Sequence, residues 1–280
     1  MIWPVQLMLV IGPAGLGALA LLWIARLTFR HRVGQMRAAL EASQLRSAPA
    51  PEPLPEIMRS YAVRAGGRRN GPALFHARHR ALLIPAVDKP PMRIKAEQCT
   101  GTITPGLVWQ ATGTMNGLPV SVVDAYVDGA GLLEVRALDT VLVSGGSGPD
   151  YDKGELLRYL SELPVYPDAI LNACGLTWRQ LDPRTVEVAA RSRSGVARLR
   201  FIFDANGDIA AMEADDRPMT VGDGTVPTRW VGSYSDYRQF GSYRLPFHGE
   251  VAWQLSDGLH TYWKGDLVSY APLPLAGAGI

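Results

Sequence analysis

Six groups of side chains in this 280-residue sequence have types and spacings that invite a chemical reading. His76 and His79 stand at an HxxH spacing, but their segment alternates as a strand does. An odd offset in a strand sends the two rings to opposite faces, so no metal site is assigned. His248 and Glu250 share a strand face about 6.8 Å apart, close enough for a polarised imidazole–carboxylate pair. No third partner or nucleophile accompanies them, and they read as a solvated outer face opposite Phe247, Val251 and Trp253. Ser144-Gly-Gly-Ser-Gly148 lacks the Lys-Ser/Thr ending of a phosphate-binding loop, and the elbow spacing GxSxG does not occur. That stretch reads as a flexible connection. Asp124 falls on the same strand face as Val120, Val122 and Tyr126, where a lone buried acid has a raised pKa. A bond to a tyrosine, amide or arginine is the expected reason for it. Glu155, Tyr159 and Glu162 line one face of a helix and resemble an acid–base pair, but capping and solvation account for both acids. Cys99 and Cys174, 75 residues apart with no CxxC or Cys/His spacing, give neither a disulfide framework nor a zinc site. No catalytic residue, metal or cofactor is assigned from these groups.

The elements that carry them follow from composition. With 47% hydrophobic and 19% charged residues, the chain has apolar material for one large domain or two small ones, which excludes a disordered protein. Lys+Arg 28 against Asp+Glu 26 is far short of the positive field that phosphate binding needs, so nucleic acid is not expected as a partner. The apolar residues are unevenly spread. The first 25 residues carry no charged side chain, and Val5 to Ala25 is almost wholly apolar. At about 1.5 Å per residue this run crosses a bilayer core of about 30 Å. A cleaved signal peptide wants a basic start and a small-residue cleavage site. Met1 to Gln6 is uncharged and Trp23 to Thr28 offers no such site, so residues 1–25 are expected to be a single-pass transmembrane anchor. Ala14 and Ala18 have a small-xxx-small spacing but read as ordinary lipid-facing residues, and the oligomeric state is not legible.

Arg26, Arg30, His31, Arg32, Arg37 and Arg46 follow the apolar run, opposed only by Glu41. Such a flank is retained in the cytoplasm and places the body there, with a periplasmic or extracellular body as the alternative. Without that flank, 23 basic residues face 25 acidic ones, so the basic surplus sits at the membrane. Residues 48–55, Ala-Pro-Ala-Pro-Glu-Pro-Leu-Pro, favour extended polyproline II and set a boundary near Leu54. The expected organisation is an anchor at 1–25, a basic segment and proline-rich spacer at 26–53, a β-rich body at 54–272 and a tail at 273–280.

Within the body a short helical pattern at Leu54, Ile57, Met58, Tyr61 and Ala62 gives way to period two. Val186, Val188 and Ala190, a turn, then Leu199, Phe201 and Phe203 and a second turn at Asp204 to Gly207 read as successive hairpins. Similar runs occur at 74–83, 92–103, 106–115, 118–128, 131–143, 176–182, 208–214, 228–239, 246–255 and 260–270. Asp152-Lys-Gly-Glu155 has the capping-box spacing, and Leu156, Leu157, Leu160 and Leu163 form an apolar stripe behind it. Pro164 and Pro167 end that helix. The fold class is mainly β (α+β): a large curved antiparallel sheet or open barrel with a central helix, preceded by one transmembrane helix.

Asp124-Ala-Tyr-Val-Asp-Gly129, Gly154-Glu-Leu-Leu-Arg-Tyr-Leu160, Trp178, Phe203-Asp204, Trp230, Tyr237 and Gly249-Glu-Val-Ala-Trp-Gln254 resemble an uncharacterised bacterial family of unknown function. The resemblance covers about 54–270. It implies an N-terminal hydrophobic segment and a fold distantly similar to the curved sheet of lipoprotein carriers, and it brings no catalytic residues. Ten of the 23 aromatics lie in the last 56 residues. In a closed barrel they fill the core, whereas in an open curved sheet they line an apolar cavity. Trp230 and Tyr234 share one strand face and Phe247 and Trp253 another. These four are the expected ligand-binding residues of a membrane-anchored, non-catalytic module for a lipid or other apolar ligand. A protein-interaction scaffold or sensor, and less so a hydrolase, are the alternatives.

Overall fold

The computed structural model describes residues 3–84, 90–115, 117–222 and 224–275, with side chains from Gly15 onward. Thirteen strands form one antiparallel sheet. They are β1 (Leu74–Leu83), β2 (Met92–Gly101), β3 (Gly106–Met115), β4 (Leu118–Val127), β5 (Ala130–Ala137), β6 (Val141–Ser147), β7 (Leu176–Asp182), β8 (Thr185–Ser192), β9 (Gly195–Phe203), β10 (Ile209–Val221), β11 (Gly224–Phe240), β12 (Tyr243–Leu255) and β13 (Gly258–Pro272). Their order is β6-β5-β4-β3-β2-β1-β13-β12-β11-β10-β9-β8-β7, so the first and last strands pair at the centre and two arms grow outward hairpin by hairpin. The turns have the backbone that tight hairpins demand. Asp128 and Gly129, between β4 and β5, both take positive φ, 52° and 82°. Irregular registers at Arg78/His79, Ala214/Arg217 and Val251/Ala252 add the bends by which a wide sheet curls.

Most expected strands are observed within a few residues. The run at 131–143 divides into β5 and β6 at Leu138 and Asp139, both at positive φ. The serine–glycine stretch is a strand rather than a flexible connection, since Ser144 to Ser147 pair with Leu132 to Val135. The central helix α3 follows α1 (Trp3–Gln44) and α2 (Glu56–Arg64) in the chain and spans Pro149–Ser161. A 3-10 turn at 163–165 and a short helix α4 (Pro167–Asn172), not foreseen, continue from it. Pro167 opens α4 at its first turn, where a missing N–H costs nothing.

The sheet buries both faces. On β4, Val120, Val122 and Tyr126 join the main core on the concave side with the leucines of α3. The alternate residues Val123 and Ala125 join a second core on the convex side, with Leu74, Cys99 and Val108. What covers that second core is α1. Its Phe29, Val33 and Leu40 are buried there, and Gln44 seals the β2–β3 connection by accepting the backbone N–H groups of Ile103 (2.9 Å) and Thr104 (3.1 Å). The arginines expected to be a free basic flank are in part docking charges. Arg26 meets Asp139, Arg32 meets Glu134 and Arg46 meets Asp128. Thus α1 runs past the expected anchor boundary, and its second half crosses the back of the body.

The transmembrane helix receives no support from the described residues: among them no helix is long and apolar enough to cross a membrane. Side chains 1–14 of the expected anchor lie outside the described residues. Leu16, Leu19, Leu21, Leu22, Trp23 and Ile24 are exposed on the part of α1 that no strand covers. Cys99 and Cys174 are both free, with no bridge between them.

If residues 29–44 are part of the folded unit, Leu40→Ala should cost about 2–4 kcal/mol, the range for truncating a fully buried leucine. Denaturant unfolding of the full chain in detergent measures it. A loss under about 0.5 kcal/mol would mean that α1 merely rests on the sheet.

Candidate functional site

Helix α3 lies in the concavity and is stitched to both arms of the sheet. Asp152 accepts the backbone N–H of Gly131 on β5 (2.8 Å) and the hydroxyl of Ser194 in the β8–β9 turn (2.6 Å). Asp150 meets Thr225 on β11, and Lys153 meets Asp216 on β10 at 2.5 Å. The expected capping box is therefore not what these acids do. Gly148 stands at the N-cap without a side-chain cap, Asp152 is a tether, and Glu155 is buried beside Asp124 and Arg217.

A cavity of about 520 Å³ remains between α3 and the concave face. Its apolar wall comes from both arms, with Met92, Trp109, Val120, Val122 and Leu133 on one side and Met212, Val251, Tyr262 and Trp263 on the other. All four expected ligand residues, Trp230, Tyr234, Phe247 and Trp253, border this one space. Register brings the two pairs together: Trp230 lies directly opposite Trp253, and Tyr234 opposite Gly249. Trp253 stacks on Tyr262 with ring centroids 5.6 Å apart and planes 20° from parallel. Glycines keep the wall clear for these rings, since a Cβ on Gly265 would strike the Trp263 indole. The remaining late aromatics fill solid core instead. Tyr237 packs edge-on to Tyr61, and Tyr243 and Tyr270 pack around Phe75.

One side of the cavity is polar. Arg158 of α3 binds Asp124 of β4 and donates to Glu162 at 3.1 Å, with its guanidinium 4.6 Å over the Trp109 ring. Glu162 accepts in turn from Gln98, which also meets Thr100 and Tyr166. Arg217 enters from β10, 3.7 Å from Glu155 and 4.2 Å over Trp230, and donates to the Tyr262 hydroxyl at 3.1 Å. That hydroxyl also accepts the Trp230 indole N–H at 3.0 Å. Burial first, and the Asp124 carboxylate second, push the Glu155 carboxyl well above its usual range. A proton held there bridges the two acids, whose outer oxygens Asp124 Oδ1 and Glu155 Oε2 otherwise have no partner. His79 points to this side while His76 faces outward near Glu97, the separation an odd strand offset requires. Burial, with the positive Arg158 behind it, lowers His79 to about 4 and keeps its ring neutral.

Asp124 is thus explained by an arginine bond, as expected. Glu155, Tyr159 and Glu162 are not a solvated face: the first two are buried, and the Tyr159 hydroxyl donates to the Gly101 carbonyl at 3.1 Å. His248 and Glu250 border the same cavity, but their side chains pair with Asp266 and Lys264 and not with its polar cluster. Arg158 was legible as the i+3 partner of Glu155 and the i−4 partner of Glu162. Arg217 was not, because the bulge after Ala214 breaks the alternation that would have turned it outward.

The sequence pattern of a family of unknown function, DUF6544, matches residues 44–265. The chain belongs to this family. The match begins at Gln44, the residue that seals the β2–β3 connection. No curated protein matches the sequence. Among solved structures, the fold is similar to a domain from Vibrio parahaemolyticus assigned as an outer membrane lipoprotein-sorting protein. The TM-score is 0.41 at 11% identity, covering 77% of this chain and 90% of that one. It is also similar to a LolA superfamily protein from Nitrosomonas europaea, with a TM-score of 0.38 at 8% identity over 78% and 94% of the two chains.

The two shifted groups give stability a pH dependence of opposite sign. The folded state holds a proton on Glu155 that the unfolded chain releases above about 4.5, so this contribution fades as pH rises. His79 refuses a proton that the unfolded chain takes up below about 6.5, so stability falls as pH drops toward 4, by about 2 kcal/mol once the cavity's open side is allowed for. Thermal melts across pH should show Glu155→Gln flattening the alkaline limb and His79→Leu the acid limb. Unchanged limbs in both variants would mean that neither group is held as described.

Proposed function

We propose that this protein is a membrane-anchored, non-catalytic module that binds a lipid or another apolar ligand between α3 and the concave sheet. The observation that carries the reading is the cavity itself. At about 520 Å³ it falls within the ~300–1,000 Å³ of small-molecule sites. A core meant only for stability is filled to crystal-like density, and here large rings from β11, β12 and β13 border open space. Its chemistry suits an amphipath, with a long apolar wall and a polar cluster at one side. The Asp124 and Glu162 carboxylates there are committed to Arg158, with Arg217 beside the protonated Glu155, which favours holding a ligand over transferring protons.

The anchor in this reading rests on sequence: Val5 to Ala25 carries no charge, and the basic residues begin at Arg26. By the positive-inside rule the body faces the cytoplasm. An alkaline phosphatase fused after Ile280 is then inactive, and an active fusion would place the body outside.

Titration of the full chain in detergent with a fluorescent fatty acid should saturate near one site per chain. Trp253→Ala, which removes the ring stacked on Tyr262, should weaken binding about 5–20-fold, on the order of 1–2 kcal/mol. Absence of saturable binding across the common lipid classes would remove the proposal.

A further inference from the structure

In an antiparallel sheet the connections alternate between the two ends of the strands, and here the two ends differ in kind. At one end lie the β2–β3, β4–β5, β7–β8, β9–β10 and β11–β12 connections, built from Thr102 to Pro105, Asp128-Gly129, Pro183-Arg184, Asp204 to Asp208 and Gly241-Ser242, with Leu181 the exposed large apolar residue beside them. At the other end lie the β3–β4, β5–β6 and β12–β13 connections, where Met115, Leu118, Leu138, Val141 and Leu259 are all exposed, while the curl of the sheet carries the β10–β11 connection away, to Asp150 after β6. Of the remaining connections at this end, β1–β2 includes residues 85–89, outside the described set. The polar β8–β9 turn is folded in against Gly129 and Asp152. The β3–β4 and β5–β6 connections are tied together, the Leu138 N–H donating to the Pro119 carbonyl at 2.9 Å.

Helix α1 supplies a direction. It crosses the convex face from Gln44, at the polar end of the strands, through Arg37 beside Gln110 on β3, to Arg26 and Arg30 on Asp139 at the apolar end. The rest of the helix, residues 3–25, continues beyond that end for about 34 Å. A helix of that length set upright in a bilayer brings the apolar turns to the lipid interface at the level of Arg26. The shoulder just behind them carries Arg80, Arg93 and Lys95, within about three residues of Leu83 or its β2 partner Met92, and Lys264, beside its β13 partner Trp263 and paired with Glu250. Apolar tips backed by cations are what an anionic lipid surface accommodates. Leu83, Met92 and Met115, at the same end of the strands, also border the cavity.

We propose that the apolar end of the half-barrel docks on the lipid surface, so that the cavity opens toward the bilayer and takes its ligand from there. The inference rests on the anchored, apolar-cavity reading and adds an orientation and a route of entry. It commits to a lipid surface as the occupant, because the charge-free stretch of the chain itself leaves from this end.

Hydrogen exchange on the unmodified full chain, in phosphatidylcholine vesicles with a minority of phosphatidylglycerol and in detergent, reads the contact directly. Protection of 115–118 and 256–259 gained on transfer to vesicles, with none at 241–242, is expected. Equal exchange in both settings would overturn the docking. Protection that instead grows with protein concentration in detergent would assign the edge to a second chain and also overturn it. The route is tested with the double variant Leu118→Asp, Leu259→Asp, whose residues lie outside the cavity wall. Uptake of a fluorescent fatty acid from vesicles should slow at least ~5-fold, while equilibrium binding of the same acid in detergent is unchanged. Uptake at the wild-type rate with binding intact would sink the route while leaving the ligand reading standing. Loss of binding by the unmodified chain in detergent would instead sink the ligand reading.

Discussion

A thirteen-stranded sheet has more inner face than one helix of thirteen residues can cover, and the rest of the structure follows from that mismatch. At about 4.8 Å per strand the sheet is about 60 Å wide along its curve, whereas α3 is about 20 Å long and about 10 Å across. Curling brings the two arms toward each other until α3 can be tethered to both, through Asp152 to β5 and the β8–β9 turn and through Lys153 to β10. What α3 leaves uncovered is covered by α2 and α4, packed by aromatics, as around Phe75, or left as the cavity.

The same mismatch explains the polar cluster. A helix held over an open cavity cannot surround its inward side with apolar neighbours alone. Arg158, Glu155 and Glu162 therefore meet charged and amide partners on β2, β4 and β10, namely Gln98, Asp124 and Arg217. Each arginine also lies on a tryptophan face, Arg158 on Trp109 and Arg217 on Trp230, so the aromatic wall and the charges are mutually positioned. Cluster and wall together suit an occupant with one polar and one apolar end.

Much of this was legible in the residues. Period two and turn chemistry located the strands, because a half-buried strand writes its burial into alternation, as Leu199 to Phe203 do, although Val186 to Ala190 alternate in residue type while being buried on both faces. Long-range register was not legible. Whether Trp230 and Trp253 faced one space depended on β11 and β12 pairing at those two residues. Glu155 was misread because a capping box and a buried carboxyl look alike until the partner strand is known. The bulge after Ala214 hid Arg217, and the docking of α1 was hidden for a different reason. Its charges read as a topology signal, while the partners that make several of them docking contacts, Asp128, Glu134 and Asp139, lie more than 80 residues away along the chain.

The central claim is that the space between α3 and the sheet is occupied in the cell by an amphipathic ligand. Organic extraction of the purified full chain, with mass spectrometry of the extract beside a detergent-only control, tests it most directly. The account predicts an amphipath with an acyl or comparable apolar chain, near one per protein and depleted in Trp253→Ala. An extract indistinguishable from the detergent control, from protein that also fails to take up lipid, would contradict it.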